Sequence, residues 1–515
     1  MSKFTYGLIL VNAVALAACG DEREPGDGTN GGTSGSAGAS GASGASATGG
    51  SAGAGNAGKG GTSGSGGSQA GGASGSSGSS TGGASGAGNG SNGGTSGAGN
   101  AGGSSGASGS AGTSAGASGT AGACSRPVSA CSAPAVQVTD VTLGSEVVGY
   151  GREGDTEPLP MAIAAMPSGG SRVAWLGTDD NVHVGELGCD DQFVGTPFTI
   201  PAIDLQDIHA DDAGGVVLVT REATGSGEHG CGGGTLCGGE SSPCRAMYLV
   251  RFSASGQIEW ETQVTNLSDS LDGYQNGARF IWWYQHHGRL AFDGENYAAY
   301  FGVAITVDGA NSCIDIHEGD RMQVVSATGQ LVDDHPDAFE VGCSHAWTSR
   351  IVWDPRSGEF VTVCATDNDC RIARPNPYRT IAQGECNGTL FNGDVVLSSA
   401  DGYWTAWSQD DTIRLQHFTD DGPGASVEDA GSSQHPHLVA YGQSHMLLTW
   451  ATGSSMTAQV HDSGATGAAV GSSFTIDVED HDYQAFKAYA DGSVAYPAAG
   501  NSNTSMKIAR VMPCN

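Results

Sequence analysis

The chain has 515 residues, 86 of them glycine, a formal charge of -33 and only 15% charged residues. One globular domain does not show this mixture, so the chain divides into pieces. With 21 Lys and Arg against 54 Asp and Glu, a phosphate backbone is repelled; the balance excludes nucleic acid as a partner, and adhesion to a membrane through basic patches with it.

Residues 1–18 open with Lys3 and continue into an apolar run, 6–16, broken only by Gly7 and Asn12, then small residues. This is the pattern of a secretory signal, too short to span a bilayer. It ends in Leu16-Ala17-Ala18-Cys19, which resembles the lipobox of bacterial lipoproteins. The resemblance covers about 20 residues and implies cleavage before Cys19, a diacylglyceryl thioether on its sulfur and an acylated amine. Each buried methylene contributes roughly 0.8 kcal/mol, so two or three chains give stable anchoring. Gly20 rather than Asp follows the cysteine; by the sorting rule of enterobacterial lipoproteins this implies the outer membrane. An ordinary cleaved signal with a chance cysteine is the plainer alternative.

From Gly20 to Ala123 the chain is Gly, Ser, Ala and Thr with occasional Asn, one charged cluster (Asp21, Glu22, Arg23, Glu24, Asp27) and Lys59. Nothing here can form a core, so residues 19–123 are expected to be a lipidated cysteine followed by a disordered linker. A Gly-rich coil of this length has an end-to-end distance of about 55 Å, enough to hold a domain clear of a surface.

Residues 124–515 carry nearly all of the acidity. Beyond Cys19 there are twelve cysteines: Cys124, Cys131, Cys189, Cys231, Cys237, Cys244, Cys313, Cys343, Cys364, Cys370, Cys386 and Cys514. An even number in an exported domain predicts disulfides. Short runs rich in Val, Ile, Tyr, Trp and Thr, separated by Asp-Gly, Gly-Gly and Asp-Asp turns, predict an all-β domain. Seven runs recur, at 172–176, 216–220, 297–305, 360–364, 403–407, 446–450 and 494–496, each preceded by a turn and an earlier apolar run. Arg289-Leu290-Ala291-Phe292-Asp293-Gly294 matches Arg350-Ile351-Val352-Trp353-Asp354-Pro355, with weaker echoes at His437-Leu438-Val439-Ala440-Tyr441-Gly442 and Lys487-Ala488-Tyr489-Ala490-Asp491-Gly492.

Seven units of about 56 residues leave room for compact four-stranded blades and their loops. The domain resembles β-propellers in architecture, without a Gly-His to Trp-Asp repeat or a sialidase box; a seven-bladed ring is predicted, with six or eight blades or paired β-sandwiches as alternatives. The last unit is one strand short, and the strand-like segment 136–148 is expected to complete it, locked by Cys514 with Cys124 or Cys131.

Four sets of residues are candidates for function. Arg289, Arg350, His437 and Lys487 recur at equivalent positions in four units of a chain poor in Lys and Arg. On innermost strands they would converge on the central channel and bind a carboxylate, phosphate or sulfate; alternatively each pairs with a local acid, Arg289 with Asp293 and Arg350 with Asp354. The histidines His209, His286, His287, His345, His435, His437 and His481 fall near the expected starts of inner strands. His286, His287, His345, His435 and His437 are the candidate ligands of a transition metal, in an alternative reading as a metal-dependent propeller enzyme of lyase or oxidase type.

A glycine-rich insertion holds His229, Cys231, Cys237 and Cys244, whose spacing favours disulfide stapling of the loop over zinc. Cys364 and Cys370 are expected to staple a hairpin. Acidic groups (Asp211-Asp212, His317-Glu318-Gly319-Asp320, Asp367-Asn368-Asp369, Asp410-Asp411) have oxygen ligands for calcium but complete no known loop. The aromatic run Phe280-Ile281-Trp282-Trp283-Tyr284 suits packing between blades or sugar stacking. With no Gly-x-Ser-x-Gly and no His-Glu-x-x-His in the domain, no catalytic residue is assigned. The preferred reading is a lipid-anchored binding or scaffold module of the cell envelope that requires no cofactor and takes a glycan, an anionic ligand or a protein partner.

Overall fold

The computed structural model describes residues 124–148, 160–222, 237, 245–265, 279–280, 288–308, 313–340, 342–343, 349–366, 370–386, 390–410, 412–432, 436–481 and 483–515. No helix occurs among them. Their strands form seven four-stranded sheets, the blades of a β-propeller.

The first strand, β1 (Val136–Thr142), belongs to the last blade. Blade 1 is β2 (Met161–Ala165), β3 (Ser171–Leu176), β4 (Asn181–Leu187) and β5 (Phe198–Pro201). Blade 2 is β6 (Asp204–Asp211), β7 (Gly214–Glu222), β8 (Arg245–Ser253) and β9 (Ile258–Gln263). In blade 3, β10 (Arg279–Phe280) and β11 (Arg289–Phe292) both pair with the long β12 (Asn296–Asp308), which pairs in turn with β13 (Ile314–Ser326). Single bridges from β13 to Leu331 and Phe339 continue that sheet outward.

Blade 4 is β14 (Ser349–Asp354), β15 (Glu359–Thr366), β16 (Arg371–Arg374) and β17 (Arg379–Gln383); blade 5 is β18 (Leu390–Leu397), β19 (Tyr403–Gln409), β20 (Thr412–Thr419) and β21 (Gly422–Ser432). Blade 6 is β22 (His437–Tyr441), β23 (His445–Thr452), β24 (Ser455–Asp462) and β25 (Ala469–Ile476). Blade 7 joins β26 (Lys487–Ala488), β27 (Val494–Ala499) and β28 (Ser505–Val511) to β1, in antiparallel register from Val136↔Val511 to Thr142↔Ser505.

The seven recurrent runs fall in the second strands of the blades. Each is flanked within its sheet and covered on both faces by neighbouring blades, so β3 and β19 are buried at every position and read as continuous rather than alternating apolar stretches. The core lies between blades: Ile163 and Trp175 of blade 1 pack with Met506 and Ile508 of blade 7 and Val141 of β1. The Asp-Gly signal at 293–294 is a tight turn; Gly294 has φ 107°, and Asp293 Oδ1 accepts from the amides of Glu295 and Asn296.

The missing strand is supplied as the sequence suggested. Cys131 bonds to Cys514, fastening the start of the domain to its end, and Cys124 bonds to Cys189 of blade 1. The expected Cys364–Cys370 staple does not form. Cys364 lies opposite Ala373 in the β15–β16 ladder, away from Cys370; it bonds to Cys343, and Cys370 bonds to Cys386. Cys237 of the glycine-rich insertion bonds to Cys313 and so ties that insertion to blade 3; Cys231, Cys244 and His229 lie outside the described residues.

Apart from β1 of blade 7 and β10 of blade 3, the chain runs in each blade from the innermost strand outward through antiparallel hairpins. The turns from second to third strand and the links between blades therefore share one end of the ring. The long connections, such as that between β7 and β8, leave from this end, whereas short hairpins close the other.

Candidate functional site

The innermost strands are β2, β6, β11, β14, β18, β22 and β26. Arg289 opens β11, Arg350 is second in β14, His437 opens β22 and Lys487 opens β26. The four therefore sit at the loop-bearing end of the channel, each projecting from a different blade. In two of the remaining blades the innermost strand is broken by a register shift, between Leu205 and Asp207 in β6 and between Asn392 and Val395 in β18. Such irregularities re-aim a side chain, and here they present carboxylates, Asp207 and Asp394. Gly393 permits the second of these, since a Cβ there would collide with the carbonyl oxygen of Pro436.

Cations and carboxylates from different blades meet at this end of the channel. Asp394 Oδ1 lies 2.7 Å from Arg350 Nε, and its Oδ2 lies 3.5 Å from His437 Nδ1. His437 Nε2 is 2.9 Å from Asp480 Oδ1, in the link between blades 6 and 7. Lys487 Nζ is 2.8 Å from Asp207 Oδ1, and Asp207 Oδ2 also accepts from the Leu290 amide at 2.9 Å. Arg289 Nη2 donates to the Gln484 carbonyl at 3.0 Å, and Gln206 Oε1 accepts from the Gly288 amide at 2.6 Å. Each of these contacts joins two different blades or a blade to a link, so the cluster ties the ring together across its axis.

The local pairings proposed for the arginines do not occur. Asp293 is spent on its own turn, and Asp354 pairs with Arg356 and accepts from Tyr403. Both acids lie at the far end of their short strands from the arginine; the acids that meet Arg350, His437 and Lys487 come from other blades or a link.

Burial works against ionisation of His437, but the Asp480 and Asp394 carboxylates outweigh it and raise the imidazole to about 9. Burial would likewise raise Asp394, yet Arg350, His437 and Arg289 hold it well below the usual carboxylate range. His437 is thus an imidazolium whose two nitrogens both face carboxylates, and a protonated imidazole has no lone pair for a metal. It is 1% exposed and Arg350 2%, so these two cations meet carboxylates rather than solvent.

Of the other candidate histidines, His209 and His481 are described. His209 lies five residues into β6 rather than at its start, about 16 Å along the strand from Asp204. It packs against Phe292 and Tyr297, and burial lowers it to about 4. His481 follows Asp480, and its Nδ1 is 3.3 Å from the Tyr483 amide nitrogen. His286, His287, His345 and His435 lie outside the described residues.

Among the described residues, the close groups of three metal-ligating side chains are Cys131, His445, Cys514 and Asp320, Cys343, Cys364. Each contains a disulfide, which ties up the sulfur ligands. Of the acidic candidates, Asp211 pairs with Arg251 and Asp212 accepts from the Ser168 amide. Asp320 is fully buried with the Tyr300 hydroxyl on it, and burial pushes its carboxyl well up, which suits a neutral acid rather than a calcium ligand. Asp410 occupies a left-handed turn position, φ 48°. Asp367, Asn368, Asp369, Asp411 and, of the aromatic run, Ile281, Trp282, Trp283 and Tyr284 lie outside the described residues.

The sequence reading missed Asp207, Asp394 and Asp480. The signal available was the absence of a basic residue from the inner strands of blades 2 and 5, where Asp207 and Asp394 stand instead. No protein-family model matches the chain, and no curated protein does. Among solved structures the domain is similar to the Dos1 propeller (12% identity, 73% of this chain and 86% of that one, TM-score 0.39) and to the WD40 β-propeller domain of Doa1 (11%, 72% and 96%, TM-score 0.35). It is also similar to a protein of unknown function from Dyadobacter fermentans (10%, 73% and 99%, TM-score 0.37). At these identities the likeness concerns fold alone.

Proposed function

We propose that the chain is an exported lipoprotein whose seven-bladed propeller serves as a ligand-binding or scaffold module of the cell envelope. The observation that carries the module reading is the buried, cross-linked polar cluster at the ring's centre. Arg350, His437 and Lys487 meet carboxylates from other blades or a link, and Arg289 donates to a backbone carbonyl, so the geometry is that of a rigid hub rather than of a poised acid, base or metal site. Recognition is then assigned to the blade faces and the loop-bearing end, with a glycan, an anionic ligand or a protein as partner. The five disulfides of the described residues support an oxidising compartment, and Leu16-Ala17-Ala18-Cys19 followed by the long linker supports a tethered domain.

The test is Cys19→Ser in the full chain, expressed in a lipoprotein-processing bacterium. The unaltered chain should incorporate labelled palmitate and enter the detergent phase, while the variant should be exported, unlabelled and water-soluble. Equal partition of the two would overturn the anchor. Cleavage of the linker by protease added to intact cells would place the domain outside; protection until the outer membrane is opened would place it in the periplasm.

A further inference from the structure

We propose that the cleft between blades 4 and 5 is a binding site for the carboxylate of a small organic acid. The cleft has a volume of about 430 Å³ and lies between β17 and the strands β19 to β21, within the size range of small-molecule sites. Ile381, Ala382 and Trp407 give it apolar surface, while Gln409, Gln416 and Arg414 add polar groups.

Trp407 is 5% exposed, and its indole N–H has no acceptor among the described residues. Elsewhere the fold satisfies such groups: Trp175 donates to Ser145 Oγ, Trp260 to the Ala327 carbonyl and Trp404 to the Gly464 carbonyl, at 3.0, 3.0 and 2.9 Å. A buried donor left unmade is costly, so this one marks a place where an acceptor arrives from outside.

Arg414 stands directly across the β19–β20 ladder from Trp407. Its guanidinium lies over the indole, 4.9 Å from the ring centroid. Its Nη1 is also buried without an acceptor, and its Nη2 reaches Glu428 only at 3.9 Å, beyond hydrogen-bonding distance. Gln409 is occupied by the amide and carbonyl of Glu385, and the Gln416 amide nitrogen by backbone carbonyls. Among the described residues that line the cleft, the buried side-chain atoms left without a partner, Trp407 Nε1 and Arg414 Nη1, are both N–H donors, one of them on a cation. Their complement is an acceptor with negative charge, with the ligand's carbon body against Ile381 and Ala382.

Glu428 sets the sign of the test, because it is mostly exposed and competes for Arg414. The full-length protein is titrated by calorimetry with glucuronate and N-acetylalanine, each beside a neutral analogue, glucose and N-acetylalaninamide. At least one acid should saturate where its neutral partner does not, and which acid does so identifies the carbon body. Glu428→Gln should tighten that acid about threefold, Arg414→Gln should weaken it about tenfold or more, and Trp407→Phe should weaken it severalfold. No saturable response to either acid, equal responses to acid and neutral analogue, or an Arg414→Gln variant of unchanged melting temperature and affinity would overturn the site. Should Arg414→Gln fail to fold, the exposed Glu428→Gln decides alone, and unchanged or weaker binding there rejects the proposal.

Discussion

Replacing Cys131 and Cys514 together by serine should lower the thermal unfolding midpoint of the domain by several degrees, and deleting residues 125–143 should abolish the cooperative transition. The disulfide spans 383 residues of sequence, and removing a native bridge typically costs about 2–5 kcal/mol, the long loop favouring the upper part of that range. The seven-residue ladder of β1 on β28 still closes the ring in the serine variant, so unfolding should stay cooperative and merely move. The deletion removes the ladder as well. It also strips Val141 and Leu143, 1% and 4% exposed, from the cluster that holds Trp175, Ile163 and Met506.

Burial of those two side chains is worth roughly 3–6 kcal/mol, which with the disulfide approaches the about 5–15 kcal/mol that a whole domain usually possesses. The exposed edge of β28 would further invite pairing with a second chain. Calorimetry and size-exclusion chromatography of the three proteins check this. A deletion variant that melts as one sharp transition near the unaltered protein would show that the ring does not depend on β1.

The same contrast explains what could be read in the sequence. Second strands were legible because burial on both faces leaves them continuously apolar, as in 403–407. The need for β1 was legible because the last unit ended one strand short. The inner-strand cations were legible because they repeat at one position in four units.

Their partners were not, for a physical reason. Asp207 and Asp394 sit at register shifts and Asp480 in a link, so none keeps the spacing of the repeat. Asp207 reaches Lys487 across 280 residues of sequence, a contact made by ring closure and invisible to local pattern. Proximity in sequence misled equally at Cys364 and Cys370, because strand register rather than chain distance decides which sulfurs meet. His209 was misplaced because the start of β6 was misjudged, and five residues along a strand separate groups that a list of histidines brings together.

Asp394→Asn should destabilise the domain by about 3–5 kcal/mol, the usual result of removing one partner from a buried ion cluster, because it leaves Arg350 without its carboxylate and takes from the His437 imidazolium one of its two. The accompanying pH dependence follows from His437. Its value in the folded protein, about 9 against an ordinary 6.5, is raised, so its contribution is whole below pH 6.5 and is lost as the pH rises from 6.5 through 9. The shift corresponds to about 3 kcal/mol. Asp394 acts in the opposite sense: held below 3.8, it contributes above that pH and its contribution is lost as the pH falls further.

His209, lowered to about 4, changes stability only between 4 and 6.5, so urea unfolding measured from pH 7 to 9.5 separates His437 from both. Across that window the unaltered domain should lose about 2–3 kcal/mol more than His437→Gln, whose side chain can still donate to Asp480 or Asp394 but carries no proton to lose. Parallel stability curves for the two proteins, or an Asp394→Asn variant within about 0.5 kcal/mol of the parent, would mean that the ring is held by its inter-blade apolar core and that the charges at its centre are incidental to it.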